Sequence, residues 1–497
     1  MTKSLRKSVF IALIVAGFAS FQNVWAQAKV QQAPNTYSLE DCIRIALETN
    51  PQVKISELQV KTNENVFQQS KWQRWPSLNF NAGQGFSSGR NIDPFTNTYV
   101  QQSVNSSNYQ LGASMVVFNG FQLQNSIKRN DTNLKASQKD LDAARNDLML
   151  NVALSYLQVI TNEELIEVAQ RQVDASELQV ERTGKLVAAG TLAESNLLDL
   201  KAQLANDELS LVNAQNNRET AKLSLKQLMN MPGGEQIEVV KIPVKDPTLQ
   251  PYDASIQEVY DVALGNLPQM KAAELRVQAA RQNIDIAKGA GMPSLSLSGG
   301  MGTAFSSAAP NQRFIADGTG STTIEVPSAT SFVSYQGISV PVIQRVTTPN
   351  GRLQDFGYFN QLDGNRNSSV SLSLRIPIFN QFQVKYNVSN AKIQEMNAKY
   401  QSQQVQLSIR QNVEQAYIDM NNSAKRYSAT ANQVQALSET FRVAQVRFDV
   451  GAINSVEYNI AKANLDRANS NLIQTKYDYV FRTKILDFYM SRPLSDF

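Results

Sequence analysis

The fold of this chain is decided by residues 121–189, whose sequence is FQLQNSIKRNDTNLKASQKDLDAARNDLMLNVALSYLQVITNEELIEVAQRQVDASELQVERTGKLVAA. The stretch contains no proline and a single glycine, Gly184, so nothing in it forces a helix to end. An apolar residue returns at every seventh position, at Val152, Val159, Ile166, Val173, Val180 and Val187. A strict seven-residue repeat winds helices around one another, so we predict one long helix packed against neighbouring helices.

A helix of this length limits the possible architectures. At 1.5 Å per residue it would span roughly 100 Å, more than an ordinary globular domain needs. Small or polar residues follow three positions after the heptad residues, at Ser155, Asn162, Ala169, Ser176, Thr183 and Gly190. They would let adjacent helices lie close together, either in a fibrous rod or in the wall of a hollow tube.

The composition excludes several classes of protein. Only 18% of the 497 residues are charged, and the mean hydropathy of −0.32 argues against one large buried core. The net charge of +4 is spread evenly, without the basic cluster typical of nucleic-acid binding. The chain has no histidine and a single cysteine, Cys42. We therefore expect no catalytic residues, no metal site, no cofactor and no enzymatic activity.

The first residues predict export from the cytoplasm. Lys3 and Arg6 precede an apolar stretch at 9–19 that is too short to span a bilayer. A small-x-small motif ends at Ala26, so we predict a signal peptide over residues 1–26, cleaved after about Ala26. No cysteine follows the apolar stretch closely, so we expect the mature chain not to be lipidated.

Residues 27–229 form the first predicted structural repeat. Ser38 and Asp41 resemble a capping box at the start of a helix. In chain order we predict a short helix from Ser38, a helix at 51–72, a β-hairpin at about 77–118, the long helix at about 121–189 and a return helix at about 193–229. Prolines and glycines then indicate a linker at 230–254, with a short strand at 237–242.

Residues 255–497 repeat the same order of predicted helices and strands. Residues 38–80 align without a gap on 255–297, an offset of 217, and from the second strand onward the offset is 261. The chain is therefore a tandem duplication. The second repeat has a predicted hairpin at about 294–378, a long helix at about 382–450 and a return helix at about 455–490. The change of offset locates a long inserted loop at about 306–369, either disordered or an extracellular or surface-binding loop.

The four predicted strands alternate between apolar and polar residues. In the last strand Val370, Leu372 and Leu374 share one face, whereas Ser371 and Ser373 share the other. This alternation is typical of a membrane β-barrel with lipid outside and water inside. Four strands cannot close a barrel around water, and open strand edges are not tolerated in lipid, so several copies of the chain must contribute strands.

The chain resembles the TolC-like outer-membrane efflux proteins over essentially its whole mature length. The resemblance rests on the duplication, the Pro-Ser-Leu junctions at 76–78 and 293–295, the Phe-Asn corners FNGF (118–121) and FNQF (379–382), and the turns at Gly190 and Gly451. It implies an α+β membrane protein that forms a homotrimer. Its 12-strand transmembrane β-barrel, with four strands per chain, would be continued by a long periplasmic 12-helix α-barrel.

The resemblance also implies a location and partners. The trimer would sit in outer-membrane lipid and extend into the periplasm. It would be the passive exit duct of a tripartite efflux system, taking small molecules from an inner-membrane RND or ABC-type pump through a periplasmic adaptor protein. We expect no nucleic-acid partner.

Two sets of site residues follow from the resemblance. The family docks its adaptor at the two helix–turn–helix tips, which match Gly190, Thr191, Leu192, Gly451, Ala452, Ile453 and Asn454 here. The entrance constriction matches Asn196 and Glu457, and three copies of Glu457 would form a ring that favours cations. Ile453 stands where drug-efflux relatives carry a basic residue. We therefore expect packing and hydrogen bonds, rather than a salt bridge, to close the tip.

The tip residues also have purely structural explanations. The glycines suit helix ends, Asn454 or Ser455 can cap the following helix, and Glu457 can be a solvated helix residue.

Two other functions remain open. A type I protein-secretion channel would share this architecture and carry a polypeptide instead. A coiled-coil surface or structural protein would have the long helices but no barrel strands.

Overall fold

The structure, a computed structural model, describes most of the chain. The described residues are 35–92, 97–101, 103–242 and 252–492. The predicted signal peptide at 1–26 lies outside them, and so do positions 243–251 of the predicted linker.

The first repeat opens with a short strand and two consecutive helices. Its elements are β1 (Asn35–Tyr37), α1 (Leu39–Thr49), α2 (Pro51–Trp72), β2 (Ser77–Ser87), β3 (Arg90–Ile92), β4 (Tyr99–Gln101), β5 (Val104–Asn119), α3 (Gln122–Ala188), α4 (Glu194–Leu228) and β6 (Ile237–Val239). The Ser38 hydroxyl accepts a hydrogen bond from the Asp41 N–H at 3.1 Å, and the Asp41 carboxylate accepts one from the Ser38 N–H at 3.3 Å. The predicted capping box is therefore confirmed.

The second repeat has the same order of helices. Its elements are α5 (Ile256–Asn266), α6 (Pro268–Gly289), β7 (Ser294–Ser306), β8 (Gln312–Tyr335), β9 (Ile338–Asp355), α7 (Tyr358–Gly364), β10 (Asn367–Arg375), α8 (Gln383–Asp449) and α9 (Ser455–Tyr489). The long helices α3 and α8 each contain 67 residues, and the return helices α4 and α9 each contain 35. Within the described ranges, no helix has a stretch both long and apolar enough to cross a membrane.

The chain divides into two compact units. The first comprises Met1–Thr62, Lys135–Leu275 and Lys399–Phe497, and the second comprises Asn63–Leu134 and Arg276–Ala398. The described part of the first unit is helical apart from β1 and β6, which pair in parallel. The second unit holds the larger strands.

The first unit contains two apolar cores, one formed mainly by each repeat. In the first core, Val152 and Val159 of the heptad pattern are completely buried and pack with Cys42 of α1. In the second core, Val413 and Met420 of α8 take the corresponding places and are also buried. The heptad residues in the middle of the long helices therefore do face neighbouring elements, as the repeat predicts.

The second unit contains a four-stranded antiparallel sheet in the order β2-β5-β7-β10. Residues directly opposite each other in neighbouring strands share a face of a sheet. The register therefore places on one face Leu78, Phe80, Leu111, Met301, Leu372 and Leu374. It places on the other face Ser77, Asn79, Gln110, Gly300, Ser373 and Arg375. The sheet therefore has the apolar and polar faces that the alternation predicts.

The inserted stretch of the second repeat folds as a long two-stranded ribbon. Strands β8 and β9 pair antiparallel, and the turn between them is formed by Gln336 and Gly337. Both turn residues have positive φ, +52° and +81°, which suits a two-residue hairpin turn. The disordered alternative is therefore wrong, because the stretch forms regular strands followed by the short helix α7. The alternative of an extracellular or surface-binding loop stays a prediction.

Candidate functional site at the helix–turn–helix tips

The first tip, residues 186–196, joins α3 to α4 through a glycine turn. Gly190 has φ of +75°, in the left-handed region that glycine adopts without strain. The Gly190 N–H donates to the Val187 carbonyl at 2.9 Å, and the Thr191 N–H donates to the Leu186 carbonyl at 3.0 Å. These two bonds form a Schellman motif, which satisfies carbonyls at the end of α3.

The second tip, residues 447–457, repeats this geometry between α8 and α9. Gly451 has φ of +73°, and its N–H donates to the Phe448 carbonyl at 3.0 Å. The Ala452 N–H donates to the Arg447 carbonyl at 2.7 Å. A side chain at Gly190 or Gly451 would meet nothing within 4 Å, so backbone conformation rather than crowding requires glycine at both turns.

The two return helices begin differently. Asn454 is the N-cap of α9, and its side-chain oxygen accepts a hydrogen bond from the Glu457 N–H at 2.9 Å. Ala193, the corresponding residue of α4, makes no such bond. Of the two predicted capping candidates, Asn454 is therefore the cap, and Ser455 has another role.

Ser455 joins the second tip to the first. It is 1% exposed, and its hydroxyl oxygen lies 2.9 Å from Asn196 Oδ1 and 2.8 Å from Asp199 Oδ2. The hydroxyl can donate to one of these oxygens at a time. The predicted constriction residue Asn196 is thus part of a hydrogen bond between the two tips.

An ion pair also connects the long helices of the two tips. Arg182 Nη1 of α3 lies 2.6 Å from Asp449 Oδ1, at the last residue of α8. This pair lies within one chain and does not involve Ile453, so the prediction that packing and hydrogen bonds close the tip stays a prediction.

A cavity of about 440 Å³ lies between the two tips. Its walls include seven of the predicted site residues: Leu192, Asn196, Gly451, Ala452, Ile453, Asn454 and Glu457. Gly190 and Thr191 are exposed and do not line it. The structure thus brings both predicted constriction residues to one cavity and leaves the crest of the first turn facing outward.

Aromatic packing supports the second tip. Tyr458 is 4% exposed, and its ring stacks on Phe448 with centroids 4.8 Å apart and lies 5.5 Å from Phe441. Burial raises the pKa of Tyr458 to about 12, so its hydroxyl stays protonated. Phe441 and Phe448 lie 261 positions after the heptad residues Val180 and Val187 and so correspond to them in the second repeat. The heptad seam of α8 therefore continues up to the turn.

A buried charge cluster lies one to three helical turns beyond the tip cavity. Lys462 Nζ of α9 contacts Asp207 Oδ2 of α4 at 2.9 Å and Asp466 Oδ2 at 2.7 Å. Asp207 also accepts hydrogen bonds from Ser176 of α3 and from Gln203. The charge cluster therefore ties three helices together. The sequence alone does not reveal this cluster, because a charged residue on a long helix is ordinarily solvated.

The chain belongs to the outer membrane efflux protein family, whose model matches residues 42–231 and 259–487, one stretch in each repeat. It is 23% identical over 397 residues to the outer membrane protein TolC of Escherichia coli, covering 74% of this chain and 71% of that protein. As a member of this family, the chain acts as an exit duct for efflux across the outer membrane. The class of protein predicted from the sequence is confirmed.

Solved channels share the fold. The outer membrane protein VceC of Vibrio cholerae has a TM-score of 0.68 and 16% identity, with 91% of this chain and 94% of that chain covered. The MtrE outer membrane channel of Neisseria gonorrhoeae, solved in an open state, has a TM-score of 0.64 and 21% identity. The match covers 92% of this chain and 88% of that chain. The predicted fold class is therefore confirmed.

Proposed function

We propose that three copies of this chain form the duct of a tripartite efflux system and conduct small molecules passively. The observation that carries the proposal is the four-stranded sheet, with one apolar face, one polar face and two edges, β2 and β10. Among the described residues neither edge has a second partner strand. Open edges cannot lie in lipid, so pairing β10 of one copy with β2 of the next supports a closed barrel of twelve strands.

The assembly can be tested with the full-length protein extracted from outer membranes. A closed strand barrel resists detergent until it is heated, so the unheated sample should migrate as a trimer and the boiled sample as a monomer. Planar bilayers containing the trimer should show discrete conductance steps. A monomeric species without conductance would contradict the proposal.

The cargo can be tested in cells that lack the gene for this chain. Loss of a small-molecule duct should raise the intracellular accumulation of fluorescent pump substrates, and the intact gene should restore export. A deletion that left dye accumulation unchanged and abolished a secreted polypeptide would favour the type I secretion channel instead.

The tips are the proposed docking surface for a periplasmic adaptor, which would link the duct to an RND or ABC-type inner-membrane pump. Support comes from the exposed crest formed by Gly190 and Thr191 and from the exposed Gly451 and Ala452 of the second turn. Thr191→Cys on the full-length trimer should crosslink to the adaptor in cells. Asp317→Cys, on the ribbon, is the matched control and should not.

The mature chain is proposed to begin at about Gln27 and to carry no lipid. Lys3 and Arg6, the apolar stretch and the motif that ends at Ala26 support cleavage at that point. Intact mass measurement of the protein purified from outer membranes would test both statements. A mass that included residues 1–26, or an added acyl chain, would contradict them.

A further inference from the structure

The short helix α7 lies against the apolar face of the four-stranded sheet. The Tyr358 hydroxyl of α7 is 2.9 Å from the Tyr109 hydroxyl of β5, and the Thr303 hydroxyl of β7 donates to the Leu362 carbonyl. Tyr109 and Thr303 are opposite each other in the register, on the same face as Leu111 and Met301. This helix belongs to the insertion, so the first repeat has no counterpart.

Hydrogen bonds and ring contacts fix α7 in this position. The Tyr358 ring packs 4.7 Å from the ring of Phe305 in β7. The Gln361 side chain, 1% exposed, accepts a hydrogen bond from the Ser306 N–H at 3.0 Å and donates one to the Phe356 carbonyl at 3.1 Å. Asn365 Nδ2 donates to the Ala304 carbonyl at 2.8 Å. The helix is thus an ordered part of the sheet's surface.

The helix nevertheless presents a large apolar side chain to the outside. Phe359 is 81% exposed and makes an edge-to-face contact with Tyr358 at 5.3 Å. Holding a phenylalanine outward on an ordered helix is unfavourable in water, because its apolar surface stays hydrated. An apolar or interfacial surrounding would remove this cost at Phe359.

Aromatic residues also mark the opposite end of the same strands. Phe118 and Phe121 are packed edge to face at the end of β5, and Phe379 and Phe382 repeat the arrangement after β10. Nine residues separate Tyr109 from Phe118 (118 − 109), or about 30 Å of strand at about 3.4 Å per residue. Strands of membrane barrels are tilted by about 40°, which reduces this to about 23 Å along the membrane normal. Aromatic girdles in such barrels flank an apolar band about 25 Å tall.

We propose that α7 is a membrane anchor whose Tyr358 and Phe359 lie among the lipid headgroups of the outer leaflet. The inference rests on the proposed function, since it takes the apolar face of the sheet to be the lipid-facing one. A lipid surface fits better than a second copy of the chain. Neighbouring copies pair through the edge strands β2 and β10, whereas α7 covers the central strands β5 and β7 and continues their apolar face.

The test uses the full-length trimer reconstituted in phosphatidylcholine vesicles, with Phe359→Cys carrying an environment-sensitive fluorophore. Nitroxide-labelled lipids place the quencher either near the headgroup or near the end of the acyl chain. The native Cys42 is completely buried, and wild-type protein treated with the same label provides the blank. Phe359 is mostly exposed, so its substitution should leave the fold intact.

Two matched positions calibrate the depth. Leu372→Cys lies on the apolar face, between the level of Tyr109 and the level of Phe118. Asp317→Cys lies on the exposed ribbon. The label at position 359 should lose most of its fluorescence to the headgroup quencher, the label at 372 to the acyl-chain quencher, and the label at 317 to neither.

The outcomes separate this inference from the proposed function. If the label at 372 is quenched but that at 359 responds to neither quencher, or only to the deep one, the anchor is refuted and the barrel stands. If the label at 372 is not quenched, the apolar face does not contact lipid. The proposed membrane barrel is then refuted, and the anchor that rests on it is refuted as well.

Discussion

At the scale of single residues, Gly190 and Gly451 show why each long helix ends where it does. Their positive φ angles let the chain reverse while the amide groups of the turn satisfy the last helical carbonyls. Any L-residue in the left-handed region costs about 1–2 kcal/mol. The turns therefore depend on one backbone conformation in each repeat.

Replacing either glycine by alanine should loosen its tip. Gly190→Ala and Gly451→Ala should each destabilise the turn by about 1–2 kcal/mol and speed hydrogen exchange of the local amides by roughly 5- to 30-fold. Gly265→Ala is the control, because Gly265 lies within helix α5 without a positive φ and has open space around it. That variant should be neutral or stabilising. Equal exchange rates at the tip in all three variants would contradict this explanation.

Glu457 is expected to set ion selectivity at the entrance. Its side chain is exposed and lines the tip cavity, so three copies would place three carboxylates around the duct. Glu457→Gln should lower the cation preference, measured as the reversal potential in a salt gradient across a planar bilayer. Glu439→Gln removes the same charge from a residue already paired with Arg442, and should shift the potential less. Identical potentials in both variants would make Glu457 an ordinary surface residue.

The sequence alone predicts the structural roles of some of these residues but not of others. Gly190 is predictable because a glycine between two helical patterns has a local meaning that one sequence reveals. The pairing of Arg182 with Asp449 joins residues 267 positions apart, and no periodicity links them. Ser455 looked like a helix cap, and only the fold shows that its hydroxyl faces Asn196 and Asp199 instead.

At the scale of elements, the charge cluster shows how three helices are held in register. Lys462 is the cation that contacts both Asp207 and Asp466, and its side chain is 5% exposed. Removing one partner of a buried ion pair leaves an uncompensated charge, which costs about 3–5 kcal/mol. Burial raises the pKa of Asp466, with hydrogen bonding to Lys462 opposing the shift.

Lys462→Met should therefore destabilise the helical unit by about 3–5 kcal/mol at neutral pH, measured as a lower thermal unfolding midpoint of the trimer. The defect should shrink at mildly acidic pH. Asp466 binds its proton more tightly in the folded chain than in the unfolded chain, so acid favours the folded variant. Lys462→Arg, which keeps the charge, is the control. A midpoint unchanged by Lys462→Met would show that the cluster is solvated in the trimer.

The elements themselves differed in how well the sequence predicted them. Helices α3 and α8 follow from a long periodic pattern with no proline inside it, and local pattern decides helices. The ribbon of β8 and β9 was missed because its apolar residues are interspersed with glycine, proline and threonine. Its pairing is shifted twice, between Ala316 and Ser321 and between Pro327 and Phe332, so no single alternation runs along it.

At the scale of the whole molecule, the polar face of the sheet would become the inner wall of the duct. Arg375 is the one charged residue among the residues of that face paired in the sheet. Three copies would place three guanidinium groups where β10 ends. Arg375→Gln should therefore raise the cation preference of the single channel.

Reversal potentials in a salt gradient would measure this effect. Arg352→Gln removes the same charge from the exposed ribbon and should have little influence. The reverse order, with a larger shift for Arg352 than for Arg375, would place the polar face outside the duct.

Apart from Val104 and Val116 on β5, the rest of that face consists of serine, asparagine, glutamine, glycine and alanine, from Ser77 and Asn79 on β2 to Ser371 and Ser373 on β10. Such short, neutral side chains offer a passing compound neither a strongly charged nor a large apolar surface to bind. A duct with such a wall selects transported compounds by their cross-section and hardly by their chemistry. Its tolerance lets one exit serve many kinds of cargo, so the choice of what leaves the cell belongs to whatever loads the duct from the other end.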